Sequence, residues 1–257
     1  MDALLISLTA FAVILSGALV GLALQSRLPS HHLSDRSREA IKMGAGLISM
    51  MAALVLSLLI NSATGVFRDV SQGLTLAAAR VILLDQLLVA YGPETAPIRA
   101  DLRASVSRAL EALDPASRED PHPVEGANAL QLGRITDAIR MLAPVTPIQQ
   151  SLHPRGIELS QDLLDANWTL VERGRDALPV LFLVIMLFWL FVLNLTYGLA
   201  APANGTVLAI LLVCALSVAA AVFLIKELAH PLDGLVRVSD APLRNALERI
   251  SAPGSGL

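Results

Sequence analysis

Placed on a helix that turns about 100° per residue, Lys42, Gly46, Ser49, Ala53, Ser57 and Thr64 fall within about 80° of one another. This is a stripe of small and hydroxyl side chains with one cation at its mouth. Such a surface can line an ion path, because pores are built from small polar groups, backbone dipoles and apolar constrictions. The candidate lining residues are Lys42, Gly46, Ser49, Ala53 and Ser57. Small residues at four-residue spacing also serve close helix–helix packing. Both readings hold together if a symmetric oligomer packs this helix around its axis.

Other chemistry is sparse. The sequence has no glycine-rich phosphate loop, no His-Glu-x-x-His, no Cys-x-x-Cys and no Gly-x-Ser-x-Gly. His31-His32 is the only histidine cluster, and adjacent histidines on a helix point about 100° apart, which suits an interfacial loop better than a metal centre. Glu119-Asp120 reads as a solvated loop pair, and Cys214, the single cysteine, has no partner for an intramolecular disulfide. Neither an enzyme nor a cofactor site is expected. Tyr197 and Lys226, near the ends of apolar runs, read as interface anchors, and Trp189 as packing.

The elements that must carry the stripe are membrane helices. Of 257 residues, 54% are hydrophobic and 16% charged, against about 25% charged in globular chains. Mean hydropathy is +0.63. A soluble enzyme, a disordered chain and a collagenous one are excluded, and a net charge of -3 offers no basic face for nucleic acid. Four runs approach the roughly 20 apolar residues a bilayer requires: Leu4 to Leu24, Met43 to Ile60, Leu178 to Leu199 and Val207 to Ile225. None contains Asp, Glu, Lys, Arg or His, which argues against a proton-driven pump or ion-coupled transporter. The last two form a hairpin through Ala200 to Thr206. The first lacks a basic leader and a small-x-small cleavage site, so it reads as an uncleaved span.

Between the second and third spans lies an insertion, 61–177, with 11 of the 19 basic and 15 of the 22 acidic residues. Its apolar spacing is helical throughout. One helix is expected to run on from the second span through Phe67 to Tyr91 and stop at Gly92-Pro93. Others follow over Ala96 to Leu113, Ala127 to Leu142 and Ile148 to Arg173, the last with a kink or late start at Pro154. The expected architecture is all-α: spans one and two in 1–60, a four-helix extra-membrane bundle in 61–177, spans three and four in 178–228, and a tail in 229–257. Basic residues near the span ends divide almost evenly between the two sides; a bundle and termini in the cytosol are the expected arrangement.

Several stretches together carry a family resemblance. They are His31-His32-Leu33-Ser34, Ile41-Lys42-Met43-Gly44-Ala45-Gly46-Leu47-Ile48, Ala52-Ala53-Leu54-Val55-Leu56 and Leu87-Leu88-Val89-Ala90-Tyr91-Gly92-Pro93-Glu94. Toward the C-terminus come Ala201-Pro202-Ala203-Asn204, Cys214-Ala215-Leu216-Ser217-Val218, Pro231-Leu232-Asp233-Gly234-Leu235 and Ser239-Asp240-Ala241-Pro242-Leu243. The chain resembles the bacterial bestrophin-like membrane proteins over almost its full length. That resemblance implies four spans, a cytosolic helical domain between the second and third, a pentamer in the bacterial inner membrane, and an anion as the permeant species. In bestrophins the second span lines an apolar neck with aromatic rings; here Met43 to Ile60 holds no aromatic residue. The dense acidic cluster of calcium-gated bestrophins has no counterpart longer than two adjacent carboxylates.

Three functions are therefore expected in competition. The first is an oligomeric ion channel. The second is a membrane sensor or signalling protein, because Pro231-Leu232 followed by Leu235, Val238 and Leu243 resembles the first helix of a HAMP linker. The third is a structural scaffold whose helical bundle docks a partner protein.

Overall fold

The computed structural model describes residues 3–27, 35–113, 123–175, 180–202, 204–232 and 235–252. His31-His32 and Glu119-Asp120 lie outside them. The described residues are helical and contain no strand. In chain order the helices are α1 (Ala3–Arg27), α2 (Asp35–Tyr91), α3 (Ala96–Leu113), α4 (Pro123–Arg140), α5 (Pro147–Arg175), α6 (Val180–Ala200), α7 (Gly205–Ala229) and α8 (Ala241–Ser251). Four of them are long and apolar enough to cross a membrane: α1, α2 from Ile41, α6 from Leu181, and α7.

The chain forms two compact units. One holds residues 1–66, 177–230 and 234–236; the other holds 67–176, 231–233 and 237–257. In the first, α1 packs on α6 and α7. Ala10, Ile14 and Ala18 of α1 are fully buried, with Gly17 and Gly21 on the same face. The glycines are there because backbones touch. A Cβ at Gly17 would stand 2.5 Å from the Phe191 carbonyl oxygen, and one at Gly21 would collide with that of Leu195. Gly198 of α6 answers from the other side, its missing Cβ leaving room for the Ala18 carbonyl. This is the small-xxx-small contact by which helices associate where no hydrophobic effect distinguishes helix from lipid. Ala45 and Ala52 of α2 pack with Leu193, Trp189 and Leu190 of α6, which gives Trp189 the packing role its mid-span position suggested.

In the second unit the core is built by Leu74, Val81, Leu84 and Leu88 of α2, Ile98, Leu102 and Val106 of α3, Ile135 and Ile139 of α4, and Leu159 and Leu163 of α5. α2 runs unbroken for 57 residues, as the absence of proline within it predicts. It ends at Gly92, whose φ of 143° only glycine adopts at little cost. The fully buried Thr95 hydroxyl lies 2.6 Å from the Leu88 carbonyl oxygen and 2.7 Å from that of Gly92, adding to the backbone bonds that these carbonyls accept from the Gly92 and Thr95 N–H groups.

α4 begins earlier than the expected Ala127, because Pro123 is preset for a first helical turn and recruits Val124 to Gly126. α5 starts through a capping box: the Gln149 amide N–H donates to Thr146 Oγ1 (3.2 Å), and the Gln149 side-chain oxygen accepts from the Thr146 N–H (3.1 Å). That cap, with Pro147 at the first turn, starts the helix ahead of Pro154, which sits inside it.

Two expectations about the tail are corrected. It contributes a fifth helix, α8, to the bundle unit: Leu243, Ala246 and Ile250 are buried in the same core as α2 to α5. Their three- and four-residue spacing makes one apolar stripe, and Arg103 of α3 donates to the Ile250 carbonyl (2.7 Å) at its C-terminal end. No HAMP-like helix starts at Pro231 either; α7 ends at Ala229, and the described residues from Pro231 to Asp240 are turn, bend or irregular.

Candidate functional site

The apolar part of α2 divides by exposure. Ala45, Ala52, Leu59 and Ala63, beside the stripe, are buried in the first unit. Lys42, Gly46, Ala53 and Ser57 are exposed, and Ser49 is half-buried at the edge between the two faces. The expected lining residues thus share a face, and that face is not consumed in packing within the chain. A Cβ at Gly46 would meet nothing within 4 Å, and the same holds at Gly44, exposed on the same helix off the stripe. Gly17, Gly21 and Gly198 would meet backbone.

Ser49 is set apart by its hydrogen bond. Ser7, Thr9, Ser16, Thr64, Thr196 and Ser217 each donate to a carbonyl three or four residues earlier on their own helix, the usual way a hydroxyl is satisfied in an apolar span. Ser49 Oγ instead lies 3.2 Å from Tyr197 Oη of α6. Tyr197, expected as an interface anchor, therefore also reaches the candidate site. Sequence reasoning missed this pairing because nothing in either local pattern links positions 148 residues apart.

α7 runs one turn past the expected Ile225, so that Lys226 and Glu227 belong to it. Glu227 is buried, and its carboxylate accepts the N–H groups of Leu235 and, at 3.2 Å, Val236. Asn194, also missed, is buried in α6 and donates to the Leu190 carbonyl (2.9 Å). In the bundle unit the main buried charge is Asp85, held by Arg99 through two bonds of 2.7 and 3.1 Å. The hydrogen bond to Asp85 raises the guanidinium above its ordinary value against the opposing effect of burial. An open groove of about 450 Å³ between α4 and α5 is lined by Thr136, Asp137, Arg140, Gln161 and Asp165, with Asp137 and Arg140 paired to each other at 3.3 Å. Among the described residues no group of three or more His, Cys, Asp or Glu is placed to hold a metal ion.

An all-helical fold, four helices able to span a bilayer and a large helical unit between the second and third define a multi-span membrane protein of one architecture. A bestrophin-like domain matches residues 12–243, and the chain belongs to that family. Two solved structures share the fold, both of a bacterial bestrophin homologue from Klebsiella pneumoniae carrying a single threonine substitution. One superposes with a TM-score of 0.55 at 14% identity, the other with 0.51 at 12%; each covers 95% of this chain and 97% of the other. No functionally curated protein matches the sequence.

Proposed function

We propose that the protein is an oligomeric ion channel, anion-conducting, in which several copies pack so that the α2 face bearing Lys42, Gly46, Ala53 and Ser57 borders the path. One observation carries this reading: the small residues of that face are unspent within the chain, Gly46 having open space where a side chain would stand. A helix interior tolerates glycine at a cost of roughly 1 kcal/mol relative to alanine, and packing inside the chain does not account for it here. Bestrophin-like membership supports the channel class, and the resemblance to bestrophins supports a pentamer and a cytosolic bundle in the bacterial inner membrane. Residues 67–176 and 237–257 form one unit with two candidate spans between them, which supports placing the bundle and α8 on the same side.

The test uses cysteine substitution in a Cys214→Ala background, since Cys214 is exposed. Gly46→Cys and Ser57→Cys are expected to react with a water-soluble thiol reagent and to lose anion flux in liposomes when they do. Leu212→Cys, exposed on α7 and outside the proposed path, is expected to stay unreactive. Equal protection of all three positions, or wild-type liposomes that pass no anion under any condition, sinks the reading.

A further inference from the structure

We propose that the groove between α4 and α5 binds a small organic ammonium ion, with the Asp165 carboxylate as its counter-charge and the Trp168 ring as the face on which it rests. The site lies wholly within the bundle unit and does not depend on the channel reading. The groove holds about 450 Å³, within the range of small-molecule sites. Two helix stripes form it. Leu130, Gly133, Asp137 and Arg140 fall within about 80° of one another on α4, and Gln161, Leu164, Asp165 and Trp168 within about 100° on α5. The two helices run antiparallel. Near their turn the Ile139 carbonyl oxygen lies 2.9 Å from His153 Nε2, with the Ile139 side chain beside Gly156; further along, Gly133 and Thr136 share the groove with Gln161 and Asp165. The same progression brings Leu130 and Trp168 to one end. Both are exposed, at 70% and 54%, and Trp168 is the only tryptophan of the bundle unit.

The charges around the groove select a cation. Arg140 is tied to Asp137 at 3.3 Å, Arg155 to Glu158 at 2.6 Å and Arg80 to Asp162 at 3.3 Å. Asp165 has no ion pair among the described residues, so the lining keeps one carboxylate without a counter-charge. Arg134, the remaining cation on this stretch of α4, is exposed and stands about 100° round the helix from Gly133. It lies nearer the side where Gln131 donates to the Asp101 carbonyl of α3 (3.2 Å). A bare divalent metal asks for six or more oxygen ligands, and no group of three or more His, Cys, Asp or Glu is placed to supply them among the described residues. An organic ammonium matches what is present. Asp165 and Trp168 are three residues apart, about 4.5 Å of helix rise, so one ion can meet the carboxylate and the negative face of the indole together. Leu130 and Leu164 offer apolar surface to its carbon body. Gly133 keeps the groove wide, since a Cβ there would meet nothing within 4 Å.

The chain has two tryptophans, and Trp189→Phe leaves Trp168 as the sole indole reporter. Tetramethylammonium chloride is titrated into that full-length protein in detergent. Sodium chloride at equal ionic strength and tert-butanol, a neutral molecule of similar shape, are the comparisons. Tetramethylammonium alone is expected to shift the Trp168 emission saturably. Isothermal titration calorimetry then compares variants of the otherwise unaltered chain. Asp165→Asn is expected to weaken binding about fivefold, the upper worth of a partly exposed ion pair, and Trp168→Leu by about the same factor. Gly133→Leu puts a side chain into the groove and is expected to abolish binding. Asp165 and Trp168 are exposed and Gly133 faces open space, so all three variants keep the helical fold, which circular dichroism verifies. Three results overturn the site: no saturable response to tetramethylammonium, an equal response to tert-butanol or sodium chloride, or parental affinity in both Asp165→Asn and Gly133→Leu.

Discussion

Replacing one glycine by alanine at four positions separates helix contact from open surface. At Gly21 the new methyl would run into the Leu195 carbonyl oxygen and stand 2.9 Å from the Leu199 nitrogen and 3.0 Å from the Gly198 Cα. All three are backbone atoms, so no side chain can rotate away and α1 must move off α6. Overpacking of this kind costs about 1–3 kcal/mol, and loss of the close approach along the Ala10, Ile14 and Ala18 face adds to it. The helix gains up to about 1 kcal/mol from losing a glycine, which leaves a net cost of about 2 kcal/mol for Gly21→Ala and for Gly198→Ala. Gly17→Ala has the flexible Phe191 ring as one of its neighbours, at 3.1 Å, but the Phe191 carbonyl oxygen at 2.5 Å holds it to a similar cost. Gly46→Ala meets nothing and keeps the helix gain. For a chain of this size 1 kcal/mol moves the melting temperature by about 2–4 °C. Thermal unfolding of purified protein in detergent is thus expected to show the three contact variants lower by about 4–8 °C and Gly46→Ala level or slightly higher. A Gly21→Ala protein as stable as wild type would refute the contact argument. A drop at Gly46→Ala as large as at Gly21→Ala would mean that another copy packs against Gly46, and the face would be a seam instead of a path.

Other outcomes follow from the bundle unit. Arg99→Ala strands the buried Asp85 charge and is expected to cost about 3 kcal/mol in thermal unfolding; Asp85→Ala costs less, because the Arg99 side chain is 25% exposed and can turn to water. The raised Arg99 value means its contribution is complete below the ordinary arginine range and fades only above it, so Arg99 itself lends no pH dependence to unfolding between about pH 5 and 9. Thr146→Ala removes the α5 cap and is expected to cost about 1 kcal/mol. Gln149→Ala costs more, since the Gln149 amide also donates to the Tyr91 carbonyl (3.1 Å) and to Glu94 (2.6 Å); both are read by unfolding. Ending the chain after Ser239 uncovers the core positions that Leu243, Ala246 and Ile250 fill, and limited proteolysis is expected to cut the bundle segments faster than in the full chain.

The elements were legible in the sequence where period and punctuation agreed. Gly92-Pro93 marked the end of α2, and Ala96 to Leu113 reproduces α3 residue for residue. α8 was missed, 229–257 being read only as a tail, because its apolar stripe is just three buried residues long. The harder case was the two small-residue stripes. Gly17-x-x-x-Gly21 on α1 and Gly46 with Ala53 on α2 differ little as patterns, since small size is required both where backbones touch and where a path must stay open. Only the position of a neighbouring helix separates them, and that is a long-range fact. The same holds for Ser49 and Tyr197, ordinary residues in their own helices until α2 and α6 are side by side.

The place of α8 in the core also sets an order of assembly. Its three buried side chains belong to a core otherwise supplied by residues 70–163, yet 65 residues lie between the end of α5 and its first turn. At about 5–20 residues per second, the ribosome delivers α8 roughly 3–13 seconds after α5 is complete, with the two candidate spans α6 and α7 made in between. During that interval the core positions that Leu243, Ala246 and Ile250 fill stand uncovered. The bundle core is completed by a segment that follows both candidate spans α6 and α7 in the chain, so it closes last in the order of synthesis.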